Sequence, residues 1–177
     1  MKTRHPATYS NALLPVMADY LHSSQLVLDV FGGTGKIALI REHGYQGQIY
    51  CNELEPEWSK QSPHYKAIDR WIFGDACNID VLDDASIPAI CTSPCYGNRM
   101  ADSALPKNDG YVRNTYTHGL GKKLREGNAG ALQWGEAYKK LHLKAWVEAL
   151  RLLEPKGLLI VNVSNHIRNY NLWQTRK

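Results

Sequence analysis

The stretch Asp29-Val30-Phe31-Gly32-Gly33-Thr34-Gly35 joins a short apolar run at 25–30 to a helical pattern at 36–43. Its glycines let the backbone turn tightly and come close to a ligand. A turn of this kind between a buried strand and a helix is typical of α/β proteins that bind nucleotides, although it also occurs as a plain structural turn. A phosphate-binding P-loop is excluded, because Ile37 follows Lys36 where that motif needs serine or threonine.

Strand and helix patterns alternate along the rest of the chain. The patterns predict strands at 25–30, 48–52, 71–73, 87–91 and 158–163, and helices at 11–22, 36–43, 57–65 and 135–153. Strands separated by helices require right-handed crossovers, which give a parallel sheet covered on both faces. About 40 residues without clear periodicity separate the fourth strand from the last helix, and loops of that length are usually functional.

Composition places the chain among globular proteins, with 177 residues, 44% of them hydrophobic and 21% charged. No apolar run is long enough to span a membrane, and the N-terminus lacks the apolar core of a secretory signal. We therefore expect a cytoplasmic protein without membrane contact, whose four cysteines are reduced. The cysteines and histidines lack metal-ligand spacing, so no metal is expected.

The net charge of +4 is concentrated in one segment. Residues 99–144 hold nine Lys or Arg against four Asp or Glu, a balance of +5, and the remaining residues balance at −1. Such a segment is either a solvated face or a phosphate-binding surface. We assign the lysines of the last helix to a solvated face and treat five residues as candidate phosphate contacts: Arg99, Arg113, Lys122, Lys123 and Arg125.

Acidic residues follow the second and third predicted strands. Glu53 comes at the end of one and Asp75 at the end of the other. In a doubly wound sheet these ends lie beside the glycine turn, where a carboxylate accepts hydrogen bonds from ribose hydroxyls. The two acids and the glycine turn together predict a bound adenosine-like nucleoside.

A second turn, Thr92-Ser93-Pro94-Cys95-Tyr96-Gly97-Asn98, follows the fourth predicted strand. With the glycine turn it resembles the S-adenosylmethionine-dependent DNA amino-methyltransferases of the N4-cytosine and N6-adenine type, including phage- and prophage-encoded DNA methylases. That family carries D-x-F-x-G-x-G, matched by Asp29, Phe31, Gly33 and Gly35, and then Asp/Asn/Ser-Pro-Pro-Tyr/Phe/Trp, matched by Ser93, Pro94 and Tyr96. Three further segments look similar: His5-Pro6-Ala7, Arg113-Asn114-Thr115-Tyr116-Thr117-His118 and Gln133-Trp134-Gly135.

The resemblance implies methyl transfer from S-adenosylmethionine to an exocyclic amino group of a base in DNA. An opening serine favours cytosine N4 over adenine N6. The Ser93 hydroxyl and the Pro94 carbonyl would accept the amine hydrogens and orient its lone pair, and Tyr96 would stack on the flipped base. The implied cofactor residues are Asp29, Phe31, Gly33, Gly35, Glu53 and Asp75, and the implied nucleic-acid residues are Asn98, Arg99, Arg113 and Tyr116.

The implied fold is α/β, a Rossmann-like class I methyltransferase with a mainly parallel sheet, helices on both faces and no last two strands. We expect one domain over residues 1–177. Its parts are an N-terminal cofactor-motif helix (1–24), a cofactor-binding half (25–91), the catalytic turn with a putative DNA-binding loop (92–134), the last helix with the fifth strand (135–168) and a tail (169–177).

Cys95 stands where the family usually has a second proline. Pro94-Cys95 resembles the nucleophile dipeptide of cytosine C5-methyltransferases, so that chemistry is one alternative. An RNA base methyltransferase is another, and a nicotinamide-dependent oxidoreductase fits the glycine turn alone. Because the chain is about two strands short for this fold, a non-catalytic remnant that binds cofactor or DNA is the last alternative.

Overall fold

Five parallel strands form the main sheet of the computed structural model, which describes residues 8–96, 116–163, 166–168 and 171–173. They are β1 (Leu26–Asp29), β2 (Gln48–Asn52), β3 (Arg70–Ile72), β4 (Ile87–Thr92) and β5 (Leu153–Val161), in the spatial order β3-β2-β1-β4-β5. The strand order reverses between β1 and β4. In open parallel sheets, ligands bind outside the carboxyl ends of the strands at such a point. The predicted parallel α/β fold is therefore confirmed.

Helices and 3-10 turns connect these strands. The α-helices are α1 (Leu14–Leu21), α2 (Pro56–Lys60), α3 (Tyr116–Leu120) and α4 (Glu136–Leu152), and the 3-10 segments are Asn11–Leu13, Lys36–His43, Tyr65–Ala67 and Ala129–Ala131. The helix predicted at 57–65 ends early, at Lys60. Among the described residues, no helix is both long enough and apolar enough to cross a membrane.

The sheet is apolar on both faces, as its parallel strands require. Successive residues of β1 point to opposite sides, so Val27 packs in a cluster with α1 while Leu28 packs in a second cluster with α4. From α4 the second cluster takes Ala145, Ala149 and Leu152, which recur at helical spacing on one face. The two clusters hold the carboxyl ends of β1 and β4 side by side.

The start of β5 differs from the prediction. The predicted helix at 135–153 and strand at 158–163 leave Pro155 in the connection between them, but β5 begins at Leu153. Its pairing shifts register, because Ile87 pairs with Leu153 and Ala89 already pairs with Leu158. Proline has no N–H to donate to a sheet and Lys156 has a left-handed φ of 69°, so this part of the strand bulges out of the ladder.

A short hairpin follows β5. Strands β6 (His166–Arg168) and β7 (Asn171–Trp173) pair antiparallel in a separate two-stranded sheet. The sequence predicted no strand after 158–163 and a tail at 169–177, whereas this two-stranded hairpin follows β5 and its second strand lies within 169–177. Three-residue strands are too short to carry a readable alternation of apolar and polar residues.

Arg151, in the last turn of α4, ties the loop before β4 to that helix. Its guanidinium donates to both carboxylate oxygens of Glu148, at 2.9 and 2.7 Å, and to the carbonyls of Ile79 and Leu82, both at 3.2 Å. Glu148 also accepts the Ile79 N–H at 2.7 Å and is only 8% exposed. Removing Arg151 would leave this buried carboxylate without its countercharge.

We expect Arg151→Ala to lower the free energy of unfolding by about 2 kcal/mol, because a buried carboxylate loses its paired donor. Urea unfolding measures the loss. Arg151→Lys should recover only part of it, since an ammonium cannot make the two-point contact to Glu148. An Arg151→Ala chain as stable as the wild type would contradict the structural role of this cluster.

Candidate active site

The glycine turn and the Ser93 turn leave adjacent strands and are joined by a buried hydrogen bond. The Thr92 hydroxyl donates to Asp29 Oδ1 at 2.6 Å, and the Phe31 N–H donates to the same oxygen at 3.0 Å. Asp29 is 3% exposed, and burial raises its pKa to about 6 against the lowering effect of these two donors. Asp29, the first residue of the glycine turn, is therefore hydrogen-bonded to Thr92, the residue immediately before Ser93.

At two positions of the turn, the neighbouring atoms leave room only for glycine. Gly35 has a left-handed φ of 69°, and a Cβ there would lie 2.9 Å from the Trp71 ring. Gly32 donates to the Asn52 carbonyl at 2.7 Å, and a Cβ on it would lie 2.9 Å from Cys51 Cβ. The backbone of the turn thus approaches β2 more closely than a side chain would allow.

Glu53 lies against the glycine turn, as the strand-end pattern predicted. Its Oε2 accepts the Gly33 N–H at 2.6 Å and its Oε1 accepts the Glu55 N–H at 2.7 Å. Burial raises the pKa of this carboxyl to about 8, against the lowering effect of the two N–H donors. In its ionised form the carboxylate keeps a second lone pair on each oxygen, and these can accept hydrogen bonds from hydroxyl groups.

Asp75 lies at the end of β3 and is exposed. Its Oδ1 accepts the Cys77 N–H at 2.9 Å, and its Oδ2 faces Gly127, where a Cβ would come within 3.4 Å. The strand end is tied to the glycine turn by Asn52, whose side-chain N–H groups donate to the Val30 carbonyl at 3.2 Å and the Gly74 carbonyl at 3.1 Å. Asn52 is 1% exposed, and no sequence pattern marked it as part of the site.

Hydrogen bonds from the residue after β5 and from α4 hold the Ser93 turn in place. Ser93 and Tyr96 are half-buried and Pro94 is buried. The Ser93 hydroxyl donates to the Asn162 carbonyl at 3.2 Å, just beyond β5. The Cys95 carbonyl accepts the Tyr138 hydroxyl at 2.7 Å, so α4 holds the other end of the turn.

Phe31 anchors a group of aromatic rings that links the glycine turn to α4. It stacks on His142 with ring centroids 5.7 Å apart and meets Trp146 edge-on at 5.8 Å. Tyr138 lies 4.1 Å from His142, centroid to centroid. Phe31 is thereby tied through Tyr138 to the Cys95 carbonyl, which gives it a packing role that the motif alone did not reveal.

Cys95 lies in packed surroundings. Its Sγ is 3.0 Å from the position that a Cβ on Gly130 would take, and the structure leaves the thiol free of any disulfide. Burial raises its pKa to about 12, although Tyr116 and the Gly130 N–H lower it. The thiolate that a nucleophilic cysteine needs is therefore strongly disfavoured.

Tyr116 lies inside the protein. It is 6% exposed and meets the Trp58 ring edge-on, with centroids 6.1 Å apart. In this position its ring is not offered to a nucleic-acid base. The other predicted nucleic-acid residues, Asn98, Arg99 and Arg113, lie outside the described residues, as does the His5-Pro6-Ala7 segment. Trp134, by contrast, is 69% exposed.

Two of the candidate phosphate contacts are paired with carboxylates of the protein itself. Lys122 Nζ lies 2.7 Å from Glu57 and 3.2 Å from Glu55, and Arg125 Nε lies 3.6 Å from Glu55. Glu55 is fully buried, and its Oε1 also accepts the Arg125 N–H at 2.6 Å and the Asn128 side-chain N–H at 3.1 Å. These contacts hold residues 122–128 over the end of β2.

No protein-family model and no curated protein sequence matches the chain. The similar solved structures include the PH0226 protein of Pyrococcus horikoshii OT3, with 14% identity and a TM-score of 0.52 over 84% of this chain and 50% of that one. The [4+2]-cyclase SpnF has 15% identity and a TM-score of 0.50 over 89% of this chain and 47% of its own. A putative S-adenosyl-l-methionine-dependent methyltransferase of Methanococcus maripaludis has 12% identity and a TM-score of 0.47 over 85% of this chain and 55% of its own.

This chain spans about half the length of these proteins. At such identities the similarity concerns the fold alone, which is the Rossmann-like α/β fold already evident in the strand order.

The raised pKa of Glu53 predicts a dependence of stability on pH. The folded chain holds this proton more tightly than the unfolded chain, so the free energy of unfolding falls as pH rises from about 4.5 to about 8. We expect Glu53→Gln, which has no proton to lose, to reduce that fall by up to roughly 1.4 kcal/mol per pH unit. Urea unfolding near pH 4.5 and near pH 8 measures the fall in the free energy of unfolding. The exposed Glu126→Gln is the control, and an unchanged slope in Glu53→Gln would contradict the prediction.

Proposed function

We propose that the chain transfers a methyl group from S-adenosylmethionine to an exocyclic amino group of a base in DNA, with cytosine N4 favoured over adenine N6. One observation carries this proposal: the Thr92–Asp29 hydrogen bond of 2.6 Å places the glycine turn and the Ser93 turn side by side at the switch point of the sheet. In the proposal the first turn holds the nucleoside and the second turn, beside it, presents hydrogen-bond acceptors to the substrate.

The residues present suit the nucleoside part of this cofactor. A ribose needs acceptors for two hydroxyl groups, and Glu53 lies against the glycine turn with lone pairs to spare. Asp75 is exposed at the next strand end, where it can accept from an exocyclic amine. A side chain at Gly32 or Gly35 would not fit in the glycine turn. A Cβ on Gly32 would lie 2.9 Å from Cys51, and a Cβ on Gly35 would lie 2.9 Å from Trp71.

The chemistry of the substrate amine explains the second turn. The lone pair of an exocyclic amine is delocalised into the ring, so the amine is a weak nucleophile. Two acceptors on its hydrogens favour a pyramidal nitrogen and point the lone pair away from the ring. In the proposal the Ser93 hydroxyl and the Pro94 carbonyl are those acceptors, and the Tyr96 ring stacks on the base.

When bound, the cofactor supplies an electrophilic methyl group on its sulfonium. The chain's own contribution is to position and orient the amine, since this transfer needs no covalent intermediate with the protein. Asn98, Arg99 and Arg113 remain proposed nucleic-acid contacts. The burial of Tyr116 does not support a base contact for that residue.

RNA remains a second candidate substrate, because the same acceptors would serve a base amine in either nucleic acid. The purified chain should be incubated with tritiated cofactor and either DNA or RNA, and the methylated nucleoside identified by mass spectrometry. We expect N4-methyldeoxycytidine from DNA. Product from RNA alone would change the substrate, and no product from either would overturn the proposed function.

Ser93→Ala should lower kcat by roughly 100-fold, because the amine loses one of its two acceptors. Cofactor affinity, measured by calorimetry, should stay within about twofold, since Ser93 lies outside the glycine turn. Ser23→Ala changes an exposed serine before β1 and is the matched control. Full activity in Ser93→Ala would remove Ser93 from the mechanism.

Cys95→Ala distinguishes amino transfer from transfer to cytosine C5. We expect kcat to stay within about threefold and the product to remain the N4-methylated nucleoside, because a thiol whose pKa is raised to about 12 is a poor nucleophile near neutral pH. Cys95→Ser keeps the size of the side chain and controls for packing. Loss of transfer in both folded variants, with a C5-methylated product from the wild type, would favour the C5 mechanism.

A further inference from the structure

Asn162, the first residue after β5, makes three hydrogen bonds to the residues that open the Ser93 turn. Its N–H donates to the Thr92 carbonyl at 2.9 Å, which continues the β4–β5 ladder by one step. Its carbonyl accepts from the Ser93 hydroxyl at 3.2 Å, and its side-chain Nδ2 donates to Ser93 Oγ at 3.3 Å. The hydroxyl is therefore held on both its donor and its acceptor side by one residue.

A serine hydroxyl has one hydrogen to donate and two lone pairs to accept with. Here the hydrogen is directed to the Asn162 carbonyl, and one lone pair receives Nδ2. One lone pair remains for a ligand. A free serine hydroxyl rotates and can present either a hydrogen or a lone pair, whereas this one presents a lone pair only.

We infer that Asn162 is a positioning residue that commits the Ser93 hydroxyl to the role of acceptor, and so selects a substrate group that carries N–H. This inference rests on the proposed function, because it concerns how Ser93 meets the amine. A ring nitrogen or a carbonyl oxygen would need a donor from Ser93, which this arrangement withholds. An amino group supplies the hydrogen that the remaining lone pair accepts.

The neighbours of Asn162 on the chain point to a role beyond packing. Val161 is 37% exposed and Val163 is 47% exposed, so this end of β5 is not part of the apolar core. Asn162 is half-buried between them and directs its amide at Ser93, which lies 69 positions away in the sequence. Its backbone contact to Thr92 does not depend on the side chain and would survive a substitution by alanine.

The test is a double-mutant cycle on methyl transfer. Asn162→Ala should lower kcat by about tenfold and leave the KM for the cofactor unchanged, because only the orientation of the hydroxyl is lost. Asn162→Asp keeps the shape but lacks the N–H donor, so it should lose as much. In a Ser93→Ala background Asn162→Ala should cost nothing further, since the hydroxyl that it positions is absent.

Val163→Ala is the matched control at the same strand end and should leave kcat unchanged. Losses that add in the double variant, or wild-type kcat in both Asn162→Ala and Asn162→Asp, would overturn the role of Asn162 while leaving the proposed function intact. If the wild-type chain methylates neither DNA nor RNA, the proposed function fails. The same cycle measured on the urea midpoint of unfolding then tests the pair directly: a non-additive shift supports the contact, and additive shifts overturn it.

Discussion

The buried hydrogen bond from Thr92 to Asp29 is the contact on which the rest of the site depends. Asp29 is 3% exposed, and the Thr92 hydroxyl and the Phe31 N–H that donate to it offset part of the cost of burying its charge. The bond fixes the distance between the turn after β1 and the turn after β4. Every other contact of the site, from Glu53 on one side to Asn162 on the other, is arranged around these two turns.

The sequence predicted the parts of the fold whose signal is local. The glycine turn, the Ser93 turn and β2 at Gln48–Asn52 were all readable, because each depends on residue types within a few positions. The contacts that assemble the site were not readable. Arg125 reaches Glu55 across 70 positions and Asn162 reaches Ser93 across 69, and no periodicity connects such pairs. Thr92 was missed as a partner of Asp29 because it reads simply as the end of a strand.

The count of charges along the sequence also does not show which residues contact one another. The segment 99–144 carries an excess of +5, but the count does not show which charges already have partners. Glu55 is fully buried, and a buried carboxylate requires countercharges and hydrogen-bond donors. Lys122, Arg125 and Asn128 supply them. Part of the excess charge therefore holds the chain over the end of β2 and is not free for a phosphate.

The proposed methyl transfer requires the Ser93 turn to be held rigidly, and its contacts hold it so. Where no side chain attacks the substrate, the rate depends on how rigidly the amine is held. The residues around the turn are tied one after another: Thr92 to Asp29, Ser93 to Asn162, and the Cys95 carbonyl to Tyr138. Each tie comes from a different element, so a shift of the turn would break contacts to β1, to the end of β5 and to α4 together. The motif that this turn resembles has a second proline, whose ring would stiffen the turn, at the position of Cys95, and here the Tyr138 hydroxyl holds the Cys95 carbonyl from α4.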